Sequence, residues 1–283
     1  MSVSKSIMAL VLLMIIPCAV AVSSPCSAGA ESPRTKEYYT FAIIPQGPPE
    51  AMHRNWSPFI DLLSRDTGLA LRLKVYEQMA DFEEDLKEGS VDFAYMNPVQ
   101  EVMAWNAQGY IPLVKSKNLI TGCIFVRKDS GIKELHDLEG KEIALVGLKN
   151  VCSIVIRHDL RALNVGSRFV GSTSNVYKHV EIGDTAAGGS LDIVLEKDAL
   201  EVNREFHTIY ATEPLSSHPI SVHPSVPADA RHSVMAAVLK YREDKDSRGL
   251  LEQIGMKDPV TADYDKDYKP LEQKLMGSSE TGR

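Results

Sequence analysis

Apolar residues along this chain recur in two alternating rhythms. Tyr39 to Pro45 (YTFAIIP) is a continuous apolar run of strand length that ends at a Gly-Pro-Pro loop. Trp56, Phe59, Ile60 and Leu63 then repeat at helical spacing, with Gly68 as the stop. Leu69, Leu71, Leu73 and Val75 alternate with Ala70, Arg72, Lys74 and Tyr76, the pattern of a strand with one wetter face. Met79, Phe82 and Leu86 predict a second helix ended by Gly89, Val91 to Tyr95 a short strand, and Pro98 the first turn of a third helix.

A second series follows. Cys123 to Val126 reads as a strand, Asp129-Ser130-Gly131 as a turn and Ile143 to Val146 as a buried strand, and a helix begins near Asn150. Further helices are expected over Asn175 to Ile182 and Ile193 to Glu205, and returning strands over Thr208 to Ala211 and Ile220 to Val222. The tail predicts helices around Ala228 to Tyr241, Leu250 to Ile254 and Tyr268 to Met276. Strands alternating with helices imply an α/β fold of mostly parallel sheets flanked by helices. Gly89-Ser90-Val91-Asp92 and Gly189-Ser190-Leu191-Asp192, about a hundred residues apart, hint at two similar lobes. In such sheets ligands sit beyond the carboxyl ends of the strands, so two lobes would face each other across a cleft.

The first thirty residues are different material. Lys5 is the only charge before Glu31, Ile7 to Ile16 is apolar but too short to span a bilayer, and Ala28-Gly29-Ala30 supplies small residues for cleavage. Residues 1–30 are therefore expected to be a secretory signal. Cys18 and Cys26 each follow a proline rather than a small residue, which argues against a lipoprotein anchor. Removing the leader takes away Lys5 alone and moves the net charge from −7 to −8. An acidic, exported chain has no basic face for nucleic acid. Cys123 and Cys152 remain, enough for one disulfide but not a framework of them.

The stretch Phe125-Val126-Arg127-Lys128-Asp129-Ser130-Gly131-Ile132, followed by Leu138-Glu139-Gly140-Lys141-Glu142-Ile143-Ala144, resembles a signature of periplasmic binding proteins. These proteins serve phosphonate, phosphite and phosphate ABC transporters. Asp92 to Pro98 and Gly171 to Tyr177 are similar to two further segments of that family, and the likeness runs from about Tyr39 to Met235. The resemblance implies a two-lobe type II periplasmic binding protein, with lobe 1 formed by 36–122 and 212–283 and lobe 2 by 123–211. Its hinge crossings would lie near Gly122 and Glu213-Pro214, and closure of the lobes would trap the ligand.

A tetrahedral oxyanion can be held by N–H groups at helix starts, where unpaired donors and the macrodipole favour negative charge. Three predicted starts carry short polar residues: Asn97-Pro98, Asn150 to Ser153, and Ser172 to Asn175. Taken singly, each is accounted for as a cap of its own helix. The resemblance also marks departures. Where the family has Ser-Thr-Ser-Gly, this chain has Asn150-Val151-Cys152-Ser153, and Thr173 and Ser174 replace a family histidine and aspartate. Asp192 occupies the position where phosphonate binders place an acid to meet a substrate amine, and Tyr95 keeps an aromatic wall. The cleft is thus expected to be lined by Gln46, Tyr95, Asn97, Asn150, Val151, Cys152, Ser153, Ser172, Thr173, Ser174, Asn175 and Asp192. The expected partners are a small anionic ligand and a membrane ABC permease, and the chain is expected to act as a monomer in the periplasm.

The alternative is a sensor module feeding a membrane kinase, whose ligand is a soft oxyanion such as arsenite. Cys152 or Cys123 would ligate it, and Cys152 at a helix start would have a lowered pKa and more thiolate to do so. An enzyme is not expected: His158 falls on another face from Cys152, and no Walker loop, G-x-S-x-G or H-E-x-x-H occurs. The eight histidines show no metal spacing, so neither metal nor cofactor is expected. His218 and His223 read as surface or hinge residues, and Glu83-Glu84-Asp85 as a solvated helix face.

Overall fold

The computed structural model describes residues 36–191 and 205–279. The expected leader, Asp192 and the helix expected over Ile193 to Glu205, apart from its last residue, lie outside them. The described chain builds two sheets. The first runs from β1 (Tyr39–Ile43), β2 (Leu71–Lys74), β3 (Phe93–Tyr95) and β4 (Ile111–Ser116) to the late strands β10 (Pro219–Val222) and β11 (Pro259–Thr261), in the order β11-β4-β10-β3-β1-β2. The second contains β5 (Gly122–Arg127), β6 (Glu142–Leu145), β7 (Gly166–Phe169), β8 (Ala187–Leu191) and β9 (Phe206–Ala211), in the order β7-β6-β8-β5-β9.

Local chemistry explains the early elements. In α1 (Pro49–Thr67) Met52, Trp56, Phe59, Ile60 and Leu63 form the buried stripe, and Gly68 ends the helix at φ 69°, a left-handed conformation that glycine adopts without strain. Strand β1 is buried almost throughout because sheet neighbours and helices cover it, whereas β2, at the edge, alternates half-buried Leu71 and Leu73 with exposed Arg72 and Lys74. Phe41 stacks on Phe93 at 6.0 Å, and Trp56 and Phe59 meet edge to face at 5.8 Å.

The sheets are mixed rather than mostly parallel: four strand pairings among the described residues are parallel and five antiparallel. The reason is where the chain crosses. Strand β4 leaves the first sheet at the carboxyl edge and enters the second at the corresponding edge, so β5 must run backwards, antiparallel to β8 and β9. The return from β9 repeats this, and β10 runs antiparallel to β3 and β4. A strand joined by a short connection rather than a crossover helix is obliged to reverse.

In the second sheet α4 (Val151–Asp159) and α5 (Thr173–Glu181) pack on opposite faces of β8, at Gly188 and Gly189. A Cβ on Gly188 would lie 2.5 Å from Phe125 Cζ and 2.8 Å from Val176 Cγ1; one on Gly189 would lie 2.5 Å from Leu145 Cδ2 and 2.7 Å from Ile156 Cδ1. These glycines therefore let both helices approach the sheet. The Gly-x-x-Asp repeat does not survive as a structural repeat. Gly89 caps α2 (Met79–Glu88) at φ 69°, whereas Gly189-Ser190-Leu191 is strand interior.

A carboxyl group sits in the core of the first lobe. Glu101 of α3 (Pro98–Gln108) is fully buried, its Oε2 accepting from Ser221 Oγ at 2.5 Å while Oε1 has no hydrogen-bond partner among the described residues. Burial pushes its carboxyl up from 4.5 to about 8, against the smaller opposing effect of the Ser221 bond. A folded pKa above the unfolded one stabilises the native state fully below about pH 4.5, and that stability is lost as pH rises through about 8. Glu101→Gln is therefore expected to raise stability by roughly 2 kcal/mol at pH 8 and by little at pH 4.5, read by urea denaturation at both values. An equal effect at the two pH values contradicts the assignment. Gly188→Ala and Gly189→Ala should each cost roughly 1–3 kcal/mol in the same assay through overpacking.

Candidate functional site

The carboxyl edge of the first sheet gathers three side chains. Ile43, Tyr95 and Ile220 lie in register on adjacent strands, Ile44 N–H donates to Tyr95 O at 3.0 Å and Met96 N–H to Pro219 O at 3.2 Å. Gln46, Tyr95 and His218 therefore emerge together. Gln46 Nε2 donates to His218 Nε2 at 3.2 Å, the His218 ring stacks on Tyr95 at 5.5 Å, and Trp56 backs Tyr95 at 4.7 Å. Part of the His218 ring still meets solvent, yet desolvation by the surrounding protein lowers its pKa to about 4. The imidazole is neutral at pH 7, with its Nε2 lone pair available to the amide of Gln46. Burial also raises the Tyr95 phenol well above its ordinary value. This wall is polar and uncharged.

The three helix starts are built alike. Asn97 forms a capping box with Gln100: its Oδ1 accepts from Gln100 N–H at 2.9 Å, and Gln100 Oε1 accepts from Asn97 N–H at 3.1 Å. Pro98 has no N–H, so Val99 carries the remaining amide of that turn. Asn150 Oδ1 accepts from Ser153 N–H at 3.2 Å and Ser172 Oγ from Asn175 N–H at 3.2 Å. Each cap satisfies the third amide of its helix, and the first two amides of an α-helix have no partner within the helix itself. The capping account of these residues is correct for their side chains.

The structure brings two of the starts together. Val99 of α3 and Val151 and Val155 of α4 belong to one hydrophobic cluster with Ile120, Leu191, Leu215, Leu271 and Leu275, and the late helix Lys269–Ser279 packs on both helices. Ser172 to Asn175 stand at the same edge of the second sheet, one strand further out, since β7 is the outer neighbour of β6. There Ser172, Ser174 and Asn175 are exposed, and Asn175 Nδ2 donates to Val170 O at 2.8 Å. Val151, Cys152 and Ser153 are buried. The Cys152 side chain packs into the core with Ile124, Ile143, Leu145 and Ile156, so the structure lends no support to a thiol reaching a soft ion in the cleft. Both Cys123 and Cys152 are buried thiols, and they are not joined as the disulfide that their number admitted.

Two features escape the sequence reading. His218, expected at the surface or hinge, stacks on Tyr95 and meets Gln46. Glu83 is buried rather than solvated, and its Oε2 meets Lys149 Nζ at 2.7 Å. Asp85 is likewise engaged, accepting from Tyr76 Oη at 2.5 Å and pairing with Lys74. The signal for Glu83 was present, because Met79, Phe82, Glu83 and Leu86 share one helical stripe. Among the described residues no group of three His, Cys, Asp or Glu side chains could hold a metal ion, and no helix is long and apolar enough to cross a membrane.

Two α/β lobes joined at their carboxyl edges, with helix starts at the junction, define the type II periplasmic binding class. The chain belongs to the phosphonate ABC transporter periplasmic substrate-binding protein family, whose model matches residues 41–268. Solved structures agree on the fold. The XAC2383 protein of Xanthomonas citri bound to ATP superposes with a TM-score of 0.76 at 14% identity, covering 87% of this chain and 99% of that one. The PhnD1 protein of Prochlorococcus marinus in complex with methylphosphonate gives 0.73 at 13% identity, covering 88% and 99%. A binding protein component of an ABC phosphonate transporter from Pseudomonas aeruginosa gives 0.67 at 13%, covering 86% of each chain. Members of this family are solute-binding components of transporters.

The wall makes a prediction of its own. Imidazole nitrogen shifts of His218 should stay those of a neutral ring from pH 8 down to pH 5 and move only near pH 4. Titration near 6.5 contradicts the desolvated environment described here.

Proposed function

We propose that this protein is exported, captures a small oxyanion of the phosphonate, phosphite or phosphate type between its lobes, and delivers it to an ABC permease. In this reading residues 1–30 are the cleaved leader, 36–122 with 212–283 form lobe 1, and 123–211 form lobe 2. The protein works in the periplasm as a monomer. The observation that carries the proposal is the set of three side-chain-capped helix starts at the carboxyl edges of the two sheets.

Each residue then has a role. Val151, Thr173 and Ser174 donate backbone N–H groups to the anion, while Asn150, Cys152, Ser153, Ser172 and Asn175 hold those turns in shape. Tyr95 and Gln46 form the opposite wall, Asn97 fixes the α3 start, and Asp192 accepts from an amine or hydroxyl of the solute. No cationic side chain is needed, and an acidic chain can therefore bind an anion. The family supports an oxyanion, and methylphosphonate in the Prochlorococcus relative makes it the first ligand to try.

Calorimetry against phosphate, phosphite, methylphosphonate, 2-aminoethylphosphonate and ATP tests the proposal, and binding of none of the first four overturns it. Proline is tolerated at the first helical position and removes only its N–H, and both preceding residues are already extended (Asn150 φ −72°, ψ 134°; Ser172 φ −149°, ψ 158°). Thr173→Pro should weaken binding about tenfold, roughly 1.4 kcal/mol, with its unfolding midpoint unchanged, whereas Val151→Pro should weaken binding similarly and also lower the midpoint, because Val151 is buried in the hinge cluster. Cys152→Ser should leave affinity within about twofold, since the thiol packs in the core and does not reach the solute.

A further inference from the structure

The Glu83–Lys149 pair joins parts of the molecule that the chain topology separates. Glu83 belongs to α2, which packs on α3 beside the first sheet. Lys149 belongs to the loop between β6 and α4 in the second, immediately before the Asn150 cap. The distance between the charged atoms is 2.7 Å, and the two ends are unlike: the Glu83 side chain is 8% exposed, that of Lys149 70%. A nearly buried carboxylate thus takes its cation from the opposite lobe.

We propose that Glu83 and Lys149 are positioning residues for solute capture: the ion pair latches the loop that carries the α4 start against lobe 1. The pair holds one side of the cleft. On the hinge side, Val99, Val151 and Val155 meet with Leu271 and Leu275 in the cluster described above. Between these contacts the first turn of α4 is fixed relative to α3, which an anion site made of backbone amides requires, because amides cannot swing to meet a ligand as lysine side chains do. The latch acts on the equilibrium between separated and apposed lobes. When the lobes part, both charges return to water. When they meet, a partly desolvated pair forms, stronger than an exposed one and still sensitive to salt.

The proposal rests on the reading of the molecule as a two-lobe clamp, so its test is made without ligand. Hydrogen exchange of the full chain is measured over peptides spanning Asn150 to Ile156 and over a reference peptide in β1. Glu83→Gln is expected to speed exchange about three- to tenfold in the first and leave the second unchanged, and Lys149→Met to do the same. The double variant should match either single one, and the swapped pair Glu83→Lys with Lys149→Glu should restore protection. In the wild type, raising salt from 0.05 to 1 M should move exchange in the same direction as Glu83→Gln. Unchanged exchange in Glu83→Gln, equal acceleration in β1, or failure of the swapped pair to restore protection overturns the latch. Absence of oxyanion binding in calorimetry with this exchange pattern intact removes the functional reading and leaves the latch standing.

Discussion

The structure depends on where its chain passes from one sheet to the other. Both passages leave and enter at carboxyl edges, and they are tied together there: Ile120 and Leu215 exchange backbone bonds of 2.9 and 2.8 Å, Thr212 N–H donates to Gly122 O at 2.8 Å, and Gly122 N–H donates to Thr212 Oγ1 at 3.0 Å. A right-handed βαβ unit places each helix start at the carboxyl edge of its strand. Joining two sheets edge to edge at that end therefore turns their helix starts toward a common junction. The reversal of β5 and β10, the hinge cluster and the placement of the candidate site all follow from this connection.

The electrostatics fit the same plan. A chain with a net charge of −7 has little long-range attraction for an anion, and Lys149 and Lys115 are paired with Glu83 and Asp267. Backbone amides supply fixed partial charges that desolvation strengthens. Side chains of the caps are occupied in shaping their own turns, and the facing wall of Gln46, Tyr95 and His218 is kept neutral by desolvation of the imidazole. Such a site reads the shape and hydrogen-bonding capacity of a solute more than its total charge.

Much of the fold was legible because local rules and tertiary demands agreed. The apolar stripe of α1, its glycine stop and the alternation in β2 are all visible in the residues themselves. Strands β7 and β8 were harder, because Gly166-Ser167-Arg168-Phe169 and Ala187-Gly188-Gly189-Ser190-Leu191 have little β-branched or aromatic signal. Their places come from helices that need room and a sheet that needs neighbours, which no local pattern records. The sense of the sheets was misread for the same reason, since periodicity reports a strand but not its direction. At the site, the three helix starts could be found from capping chemistry, whereas His218 and Lys149 owe their roles to partners 172 and 66 residues away.

The central claim is that helix-start amides do the binding. Amide chemical-shift mapping while methylphosphonate or phosphite is added tests it most directly. The account predicts that the largest shifts fall on Val151, Thr173 and Ser174, accompanied by Tyr95 and Gln46. Shifts confined to another surface, such as the groove of about 690 Å³ beside Arg157, Arg161 and Phe169 on the second lobe, would contradict it.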